Sequence, residues 1–239
     1  MRTPADVLAD LVTADPGRPR ITMYDDTPGG GGERVELSAR VLANWVAKAG
    51  NALQEEWDAA PGSRIRLALP PHWRAVYWAF ATWSVGACVV LGEQPDVDLV
   101  VSDDVRVVED VVGDDGAAVL VSLPSLARAA TVVVPAGAMD EAKELATYAD
   151  QLAPWAEPSR DDPALDADGE HTAYETIIER GGLEPGARVH TRTTDLGALL
   201  RTVLAAWAVR GSVVLTRGAP DEARLAARLA AEAVTVDLP

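Results

Sequence analysis

Eighteen consecutive residues, 75–92, carry no charged side chain, and this stretch constrains the fold more than any other feature. An uncharged run of this length matches a membrane-spanning helix. Gly86 divides the run, with Trp78 and two hydroxyl side chains before it and the β-prone residues 88–91 after it. A buried helix followed by a buried strand accounts for this pattern better. We therefore expect no membrane span.

Helix-like and strand-like segments alternate along the rest of the chain as well. Hydrophobic periodicity and capping residues predict the following helices: one starting after Thr3, one from Ser38 to about Trp57, 73–85, a short one near Leu126, 139–152, 171–180, 195–210 and 220–232. Strands are predicted at 20–25, 34–37, 64–69, 87–91, 98–102, 117–121, 131–134, 188–191, 212–216 and 233–238, with an acidic connector between 102 and 117. This order predicts an α/β fold with largely parallel sheets and helices on both faces.

Residues 154–169 contain three prolines and several aspartates, which is typical of a linker or a subdomain boundary. We predict a first α/β subdomain over 1–153 and a second over 154–239 packed on it. Residues 29–32 are four glycines between two predicted strands. A phosphate-binding loop leads from a strand directly into a helix, so a hairpin turn is the preferred interpretation.

The charge balance limits the partners and the chemistry. The 239 residues carry a formal net charge of −16, and only Lys48 and Lys143 are lysines. Nucleic acids and anionic membranes need a basic surface, so neither is an expected partner. Cys88 is the single cysteine and lies in an apolar run, and residues 1–6 lack a signal-peptide core. A cytoplasmic location is therefore expected.

Several segments, in order, resemble the N-terminal domain of the adenylate-forming (AMP-binding, acyl-CoA synthetase-like) superfamily. The chain is similar to a small uncharacterised family that is distantly related to these enzymes. The segments that carry the resemblance are 36–48, 60–70, 73–90, 161–164, 183–189, 210–215, 219–221 and 234–239.

The resemblance implies adenylation, in which a carboxylate attacks the α-phosphate of ATP and pyrophosphate leaves. The superfamily holds the phosphates and Mg²⁺ at a Gly/Ser/Thr-rich loop that ends in Pro-Lys. Its expected place here, 165–175, has one glycine, no lysine and four carboxylates. Carboxylates repel a triphosphate unless a metal ion intervenes. The residues that stand at this degenerate loop, and that we assign as the candidate cofactor-binding position, are Asp168, Gly169, His171 and Thr172.

Other features of the superfamily have no counterpart. Its aromatic or histidine position falls near Asp195 and Leu196, and the sequence ends before the later adenylate-binding motifs and the lid with its lysine. The resemblance thus implies a non-catalytic relative that acts as a binding or interaction protein, with no catalytic residues and no cofactor. The alternative is an AMP-binding or acyl-CoA synthetase-like protein that still binds a nucleotide or acyl-CoA, completed by a partner chain. If active, it would be an acyl-adenylate-forming ligase.

Four further groups of side chains are candidates for a site. The histidines, His72, His171 and His190, lack the spacing of a zinc site, and no metal is expected. Asp166, Asp168, Glu170 and His171 suit a hard cation, but a solvated acidic loop is preferred. The aromatic cluster within 73–83 is assigned to the core rather than to an exposed docking face. His72 and Arg74 begin that helix, where capping is preferred to anion binding. A homodimer, a partner protein, or a domain that shares only the fold all stay open.

Overall fold

The uncharged stretch folds into a buried helix, Trp73–Ser84, and a buried strand, Cys88–Leu91, in the computed structural model, which describes residues 1–179 and 181–238. Gly86 makes the turn between them with φ +81°, and a Cβ there would lie 2.8 Å from Pro61 Cγ. Glycine is therefore required both by the backbone conformation and by the close approach of Pro61. Within the described ranges, no helix combines the length and the hydropathy needed to cross a membrane.

Seven helices and twelve strands are described, and side-chain caps begin all seven helices. The helices are α1 Pro4–Ala14, α2 Ala39–Trp57, α3 Trp73–Ser84, α4 Val105–Gly113, α5 Glu141–Glu144, α6 Leu196–Ala208 and α7 Glu222–Ala231. The strands are β1 Pro19–Asp26, β2 Glu33–Ser38, β3 Arg64–Ala68, β4 Cys88–Leu91, β5 Leu99–Ser102, β6 Ala118–Leu120, β7 Met139–Asp140, β8 Pro163–Ala167, β9 Glu170–Ala173, β10 Arg188–Thr191, β11 Ser212–Gly218 and β12 Val236–Asp237. Thr3 and Asp6 form a capping box at α1, and Ser38 caps α2 as predicted.

The strands form two mainly parallel sheets. The first has the order β12-β10-β11-β1-β2 and the second β7-β6-β5-β3-β4-β8-β9. The only antiparallel pairs among the described residues are the hairpins β1–β2 and β8–β9. The four glycines at 29–32 lie in the β1–β2 turn, as the hairpin interpretation predicted. This confirms the predicted α/β class.

A helical layer lies between the sheets and contains most of the core. Helix α3 packs on β3 and β4 of the second sheet, α6 packs on β10 and β11 of the first, and the two helices contact each other. Phe80 of α3 and Trp207 of α6 bring their ring centroids within 4.7 Å. The predicted aromatic cluster on α3 is buried, and so its assignment to the core is confirmed. One core thus joins both sheets.

The predictions were wrong between the regular βα units. Residues 131–134 do not pair as a strand, and the edge of the second sheet is β7 instead. No helix forms near Leu126, and the helix predicted over 139–152 is only α5 followed by a 3₁₀ turn, Leu145–Thr147. The segment predicted as an acidic connector contains helix α4. Val108 of this helix is buried, and aspartates stand at both ends of the helix.

The helix predicted over 171–180 is wrong as well, since the described residues 171–179 form no helix. Strand β9 occupies the first part and turns follow to 178, while Arg180 lies outside the described residues. Pairing of β9 with β8 and burial of Tyr174 override the helical periodicity. The division near 154–169 stays a prediction. Both sheets contain strands from each side of this division, since β1 pairs with β11 in the first sheet and β4 pairs with β8 in the second.

Candidate functional site

A cleft of about 670 Å³ lies where the carboxyl ends of β3, β4 and β8 face the start of α6. In open α/β sheets, ligands bind outside the carboxyl ends of the strands, so this position is the candidate functional site. Its lining is formed by Leu67, Ala68, Leu69, Leu91, Gly92, Ala167, Asp168, Glu170, Thr194, Asp195, Leu196, Gly197 and Arg201. Leucine side chains make its apolar part, whereas carboxylates and one guanidinium make its polar part.

The β8–β9 hairpin forms one wall and occupies the place expected for a phosphate loop. Asp168 and Gly169 make the whole turn, with φ of +54° and +86°. Positive φ at both central residues is the geometry of a tight hairpin turn, for which Asp-Gly is a favoured pair. The N–H of Gly169 donates to Asp166 Oδ1 at 2.9 Å and fixes the turn from inside. A two-residue turn therefore replaces the long loop that the superfamily uses to surround phosphates.

Asp166 is buried and compensated by Arg64. Arg64 Nη2 donates to Asp166 Oδ2 at 2.8 Å, and His171 Nδ1 lies 3.6 Å from the same oxygen. Burial tends to raise the pKa of Asp166, but the hydrogen bonds from Arg64 and Gly169 and the nearby positive charge outweigh it and lower that pKa. The guanidinium supplies the charge that a bound cation would supply. Across residues 1–179 and 181–238, no three His, Cys, Asp or Glu side chains converge as metal ligands.

Asp168 lies against Gly92 at the end of β4. A Cβ added at Gly92 would come within 2.3 Å of Asp168 Oδ1, and Gly92 has φ +75°. The glycine thus makes room for the carboxylate at the rim of the cleft. The start of α6 closes the opposite side. A Cβ at Gly197 would lie 3.1 Å from Leu91 Cδ1, so the missing side chain lets α6 approach the end of β4.

Asp195 caps α6, with its Oδ1 accepting from Ala198 N at 2.5 Å. Arg201 Nη2 lies 3.9 Å from the same carboxylate oxygen, one and a half turns along the helix. Both side chains are largely exposed. The cleft therefore presents three carboxylates, on Asp168, Glu170 and Asp195, against the single guanidinium of Arg201.

Neither lysine of the chain lines the cleft among the described residues. Lys48 Nζ donates to Ala146 O at 2.9 Å and to Tyr148 O at 2.5 Å, which fixes α2 to the segment after α5. Lys143 lies on α5 and is exposed. Arg201 is thus the positive side chain available to a ligand in the cleft.

Only part of the predicted cofactor position contacts the cleft. Asp168 lines it and Gly169 forms the turn beside it, whereas His171 and Thr172 lie along β9 outside the lining. Sequence reasoning missed Leu69, Gly92 and Arg201. Leu69 is the last residue of one predicted strand and Gly92 directly follows another, so the rule on carboxyl ends of parallel strands could have indicated them.

The remaining candidate side chains have structural roles. His72 Nδ1 accepts from Arg74 N and caps α3, which confirms the capping interpretation. Burial, together with the charges of Arg217 and Arg74, lowers the pKa of His72 to about 2, so its ring is neutral. Cys88 is buried, and burial raises its thiol pKa to about 11. An unreactive thiol follows.

His190 lies between a hydroxyl and a carboxylate. Its Nδ1 is 2.6 Å from Asp237 Oδ1 and its Nε2 is 3.1 Å from Thr216 Oγ1. The order hydroxyl, imidazole, carboxylate is that of a catalytic triad, but the histidine and the threonine are buried. A substrate cannot reach that hydroxyl, and the three side chains serve to join β10, β11 and β12.

Comparison with known proteins assigns the family. The chain is 36% identical over 242 residues to a TIGR03089 family protein of Mycobacterium tuberculosis (strain H37Rv), covering 96% of this chain and 95% of that protein. The chain belongs to the TIGR03089 family. No family profile matches it.

Solved structures show that this chain has the fold of the N-terminal part of adenylate-forming enzymes. An acyl-CoA synthetase of Brucella canis superposes with a TM-score of 0.76 at 15% identity, over 98% of this chain and 46% of that one. The N-terminal domain of FACL13 from Mycobacterium tuberculosis gives 0.72 at 13% identity, over 99% and 62%. NpsA of Klebsiella oxytoca, in an adenylation–PCP fusion, gives 0.67 at 14% identity, over 99% and 43%. The chain spans about half the length of these proteins, and the likeness confirms the predicted resemblance in fold.

Proposed function

We propose that this protein is a non-catalytic relative of the adenylate-forming N-terminal domain, and that it acts as a binding protein through the cleft at the carboxyl ends of β3, β4 and β8. The observation that carries the proposal is the turn at Asp168 and Gly169. A two-residue turn offers few backbone N–H groups to a triphosphate, and transfer chemistry at phosphorus depends on such donors and on cations.

The polar groups of the cleft support the same proposal. Three carboxylates oppose one guanidinium, so a polyanionic ligand meets net repulsion when no metal accompanies it. The leucines of β3, β4 and α6 favour a ligand with an apolar part. A neutral or cationic small molecule with such a part fits this lining better than ATP.

ATP–pyrophosphate exchange tests the non-catalytic role. Purified protein is incubated with Mg²⁺, ATP, labelled pyrophosphate and a panel of carboxylic acids, and we expect no exchange above the protein-free background. Robust Mg²⁺-dependent exchange with any acid contradicts the proposal.

The alternative is that the cleft still binds a nucleotide or acyl-CoA. The size of the cleft and the presence of the Arg201 guanidinium in its lining favour it. Thermal unfolding with ATP, AMP and acyl-CoA discriminates, because a ligand at 100 times its Kd adds about 2.7 kcal/mol of stability.

Two variants localise any such binding. If a nucleotide binds in the cleft, Arg201→Ala removes the ligand-induced shift, and Arg106→Ala, at an exposed arginine of α4, preserves it. Our proposal expects no shift with ATP in any of these proteins.

A further inference from the structure

A second feature, which shares no residue with the lining of the cleft, lies on α2. Residues 148–155, here called the strap, run along this helix and belong to no helix or strand. In the described part of the chain, no backbone–backbone hydrogen bond involves residues 149–155. The strap therefore depends on side chains for its attachment to the rest of the protein.

Two amide side chains of α2, Asn51 and Gln54, bond to the backbone of alternate residues of the strap, namely Ala149, Gln151, Ala153 and Trp155. Asn51 Nδ2 donates to the first two carbonyl oxygens at 2.9 and 3.0 Å. Gln54 Nε2 donates to the third at 3.3 Å, and Gln54 Oε1 accepts from the N–H of the fourth at 3.0 Å. A period of two is that of an extended chain. Because these bonds involve only the backbone of the strap, they accept peptides of different sequence.

Both amide side chains are buried beneath the strap, since Asn51 is 8% exposed and Gln54 is 2% exposed. A buried amide that lacks hydrogen-bond partners destabilises the folded state. The strap supplies those partners here, and water supplies them to the same amides when the strap is absent. This surface of α2 is therefore compatible with the folded protein whether it is covered or open.

Leu152 is the aliphatic anchor of the strap. A Cβ added at Gly50 of α2 would lie 2.5 Å from Leu152 Cδ2. Glycine in the middle of a helix is destabilising relative to alanine, and the close approach of Leu152 explains why it stands there. An apolar cavity of about 230 Å³ lies beside the anchor, with Val46, Ala47 and Pro154 in its lining. The surface therefore has room for a larger anchor than leucine.

The strap can leave α2 while both of its ends stay fixed. The side chains of residues 149–155 are exposed, except that of Leu152, which is half-buried. Before the strap, Leu145 is fully buried, and after it Asp162 O accepts from Tyr174 N at 3.0 Å. Segments with few buried apolar contacts open at a lower free-energy cost than global unfolding. Opening of the strap therefore leaves the two sheets and their core intact.

We propose that α2 carries a binding surface for an extended peptide with an apolar anchor, and that the strap occupies this surface as an intramolecular ligand. Asn51 and Gln54 bind the backbone of the peptide, and the space at Gly50 receives its anchor. The strap competes with an external peptide for the same groups. The apparent affinity for the external peptide is therefore reduced by the fraction of molecules in which the surface is open.

Fluorescence anisotropy of a labelled synthetic peptide with the sequence of residues 148–155, titrated with the full chain, tests this surface. Leu152→Asp removes the anchor of the chain's own strap and opens the surface, so this variant should bind the peptide at least tenfold more tightly than the wild type. Leu152→Ser should act in the same direction, and thermal unfolding shows whether both variants are folded. A peptide with aspartate in place of its leucine should not bind.

Asn51→Ala, made in the Leu152→Asp chain, removes two hydrogen bonds to the peptide backbone and should raise the peptide Kd about tenfold. Asn44→Ala in the same chain is the matched control. Asn44 lies two turns earlier on α2, and in the described ranges the side-chain hydrogen bonds from α2 to the strap begin at Lys48. It should leave Kd unchanged. Equal affinities of wild type and Leu152→Asp overturn the proposal, as does the absence of binding to both or an equal effect of Asn51→Ala and Asn44→Ala.

Discussion

Arg74 Nη1 donates to Glu141 Oε1 at 2.7 Å, and both side chains are buried. The pair joins α3 to α5, and Tyr77 of α3 donates its hydroxyl to the same carboxylate oxygen. Arg74 also donates to Leu123 O and Pro124 O in the segment that follows β6. One guanidinium therefore connects the helical layer, α5 and the segment after β6.

Replacing Arg74 by alanine should destabilise the fold by about 3–5 kcal/mol at neutral pH, because it leaves a buried carboxylate without its cation. Burial already raises the pKa of Glu141. A carboxyl whose pKa is higher in the folded state lowers the free energy of unfolding as pH rises from its unfolded pKa, about 4.3, through its folded pKa. Without Arg74 this loss should be larger and extend to higher pH.

Urea unfolding of Arg74→Ala between pH 4 and pH 8 measures this effect. The double variant Arg74→Ala/Glu141→Gln removes the titrating group, and its pH dependence should be flatter than that of the single variant. Equal slopes in the two variants would show that Glu141 is not the group responsible.

Arg64 should matter for the hairpin beside the cleft. Arg64→Met keeps the aliphatic stem but leaves Asp166 without its main donor, which we expect to cost about 1–3 kcal/mol at pH 7. The pKa of Asp166 is lowered in the folded state, so its contribution is present above the unfolded pKa, about 3.9, and is lost as pH falls through the folded pKa.

The difference between wild type and Arg64→Met should therefore shrink below pH 4, and carboxyl NMR should show a higher Asp166 pKa in the variant. Arg66→Met is the matched control on the same strand, since the ion pair of Arg66 among the described residues is with Glu93, an exposed carboxylate at 3.8 Å. An Asp166 pKa that does not differ between wild type and Arg64→Met would contradict this account.

The sequence was sufficient to predict the βα units whose strands lie in the middle of a sheet. Ile65 and Leu67 alternate on β3, and Ser38 caps α2 at the predicted residue, because local pattern and tertiary contacts agree there. Residues 131–134 show the opposite case. Their β propensity is high, but Met139 and Asp140 take the pairing with β6, and which segment wins such a pairing depends on long-range contacts.

Asp168, one of the predicted site residues, lines the candidate cleft, whereas the shape of that cleft could not be predicted from the sequence. Placing Asp168 at the expected phosphate loop followed from the resemblance, and the tight Asp-Gly turn is itself a recognisable signal. The helix predicted after it was wrong, because Tyr174 turns inward and its hydroxyl reaches a carbonyl between α3 and β4. Arg201 could not be assigned to the cleft from the sequence, because its position there depends on how the two sheets pack.

Tyr174 should anchor the segment that follows the hairpin. Its hydroxyl donates to Ala87 O at 2.8 Å from a fully buried position. Tyr174→Phe keeps the ring and removes the donor, and we expect a loss of about 1 kcal/mol in the free energy of unfolding. Tyr148→Phe is the control, because that hydroxyl donates to Glu56 at the surface and should contribute less. Guanidinium unfolding of both variants at one pH compares them, and equal losses would contradict the anchoring role.

Gly211 should tolerate no side chain, for reasons of space alone. A Cβ there would lie 2.2 Å from Ala187 O and 2.8 Å from Ala206 O, and both are backbone atoms that cannot rotate away. Its N–H donates to Ala206 O at 2.7 Å, and its carbonyl accepts from Arg20, so the chain cannot shift without losing both bonds. Gly211→Ala should therefore destabilise the fold by about 3 kcal/mol, the upper part of the usual range for overpacking.

Gly113, at the end of α4, is the matched control. A Cβ there meets nothing within 4 Å, and its φ is not positive. Gly113→Ala should be neutral, or stabilising by up to about 1 kcal/mol, because alanine loses less backbone entropy in a helix. Both variants add the same methyl group, but their stabilities, measured by thermal and urea unfolding, should differ widely. Similar stabilities would mean that the backbone around Gly211 is not tightly packed against the carbonyl oxygens of Ala187 and Ala206.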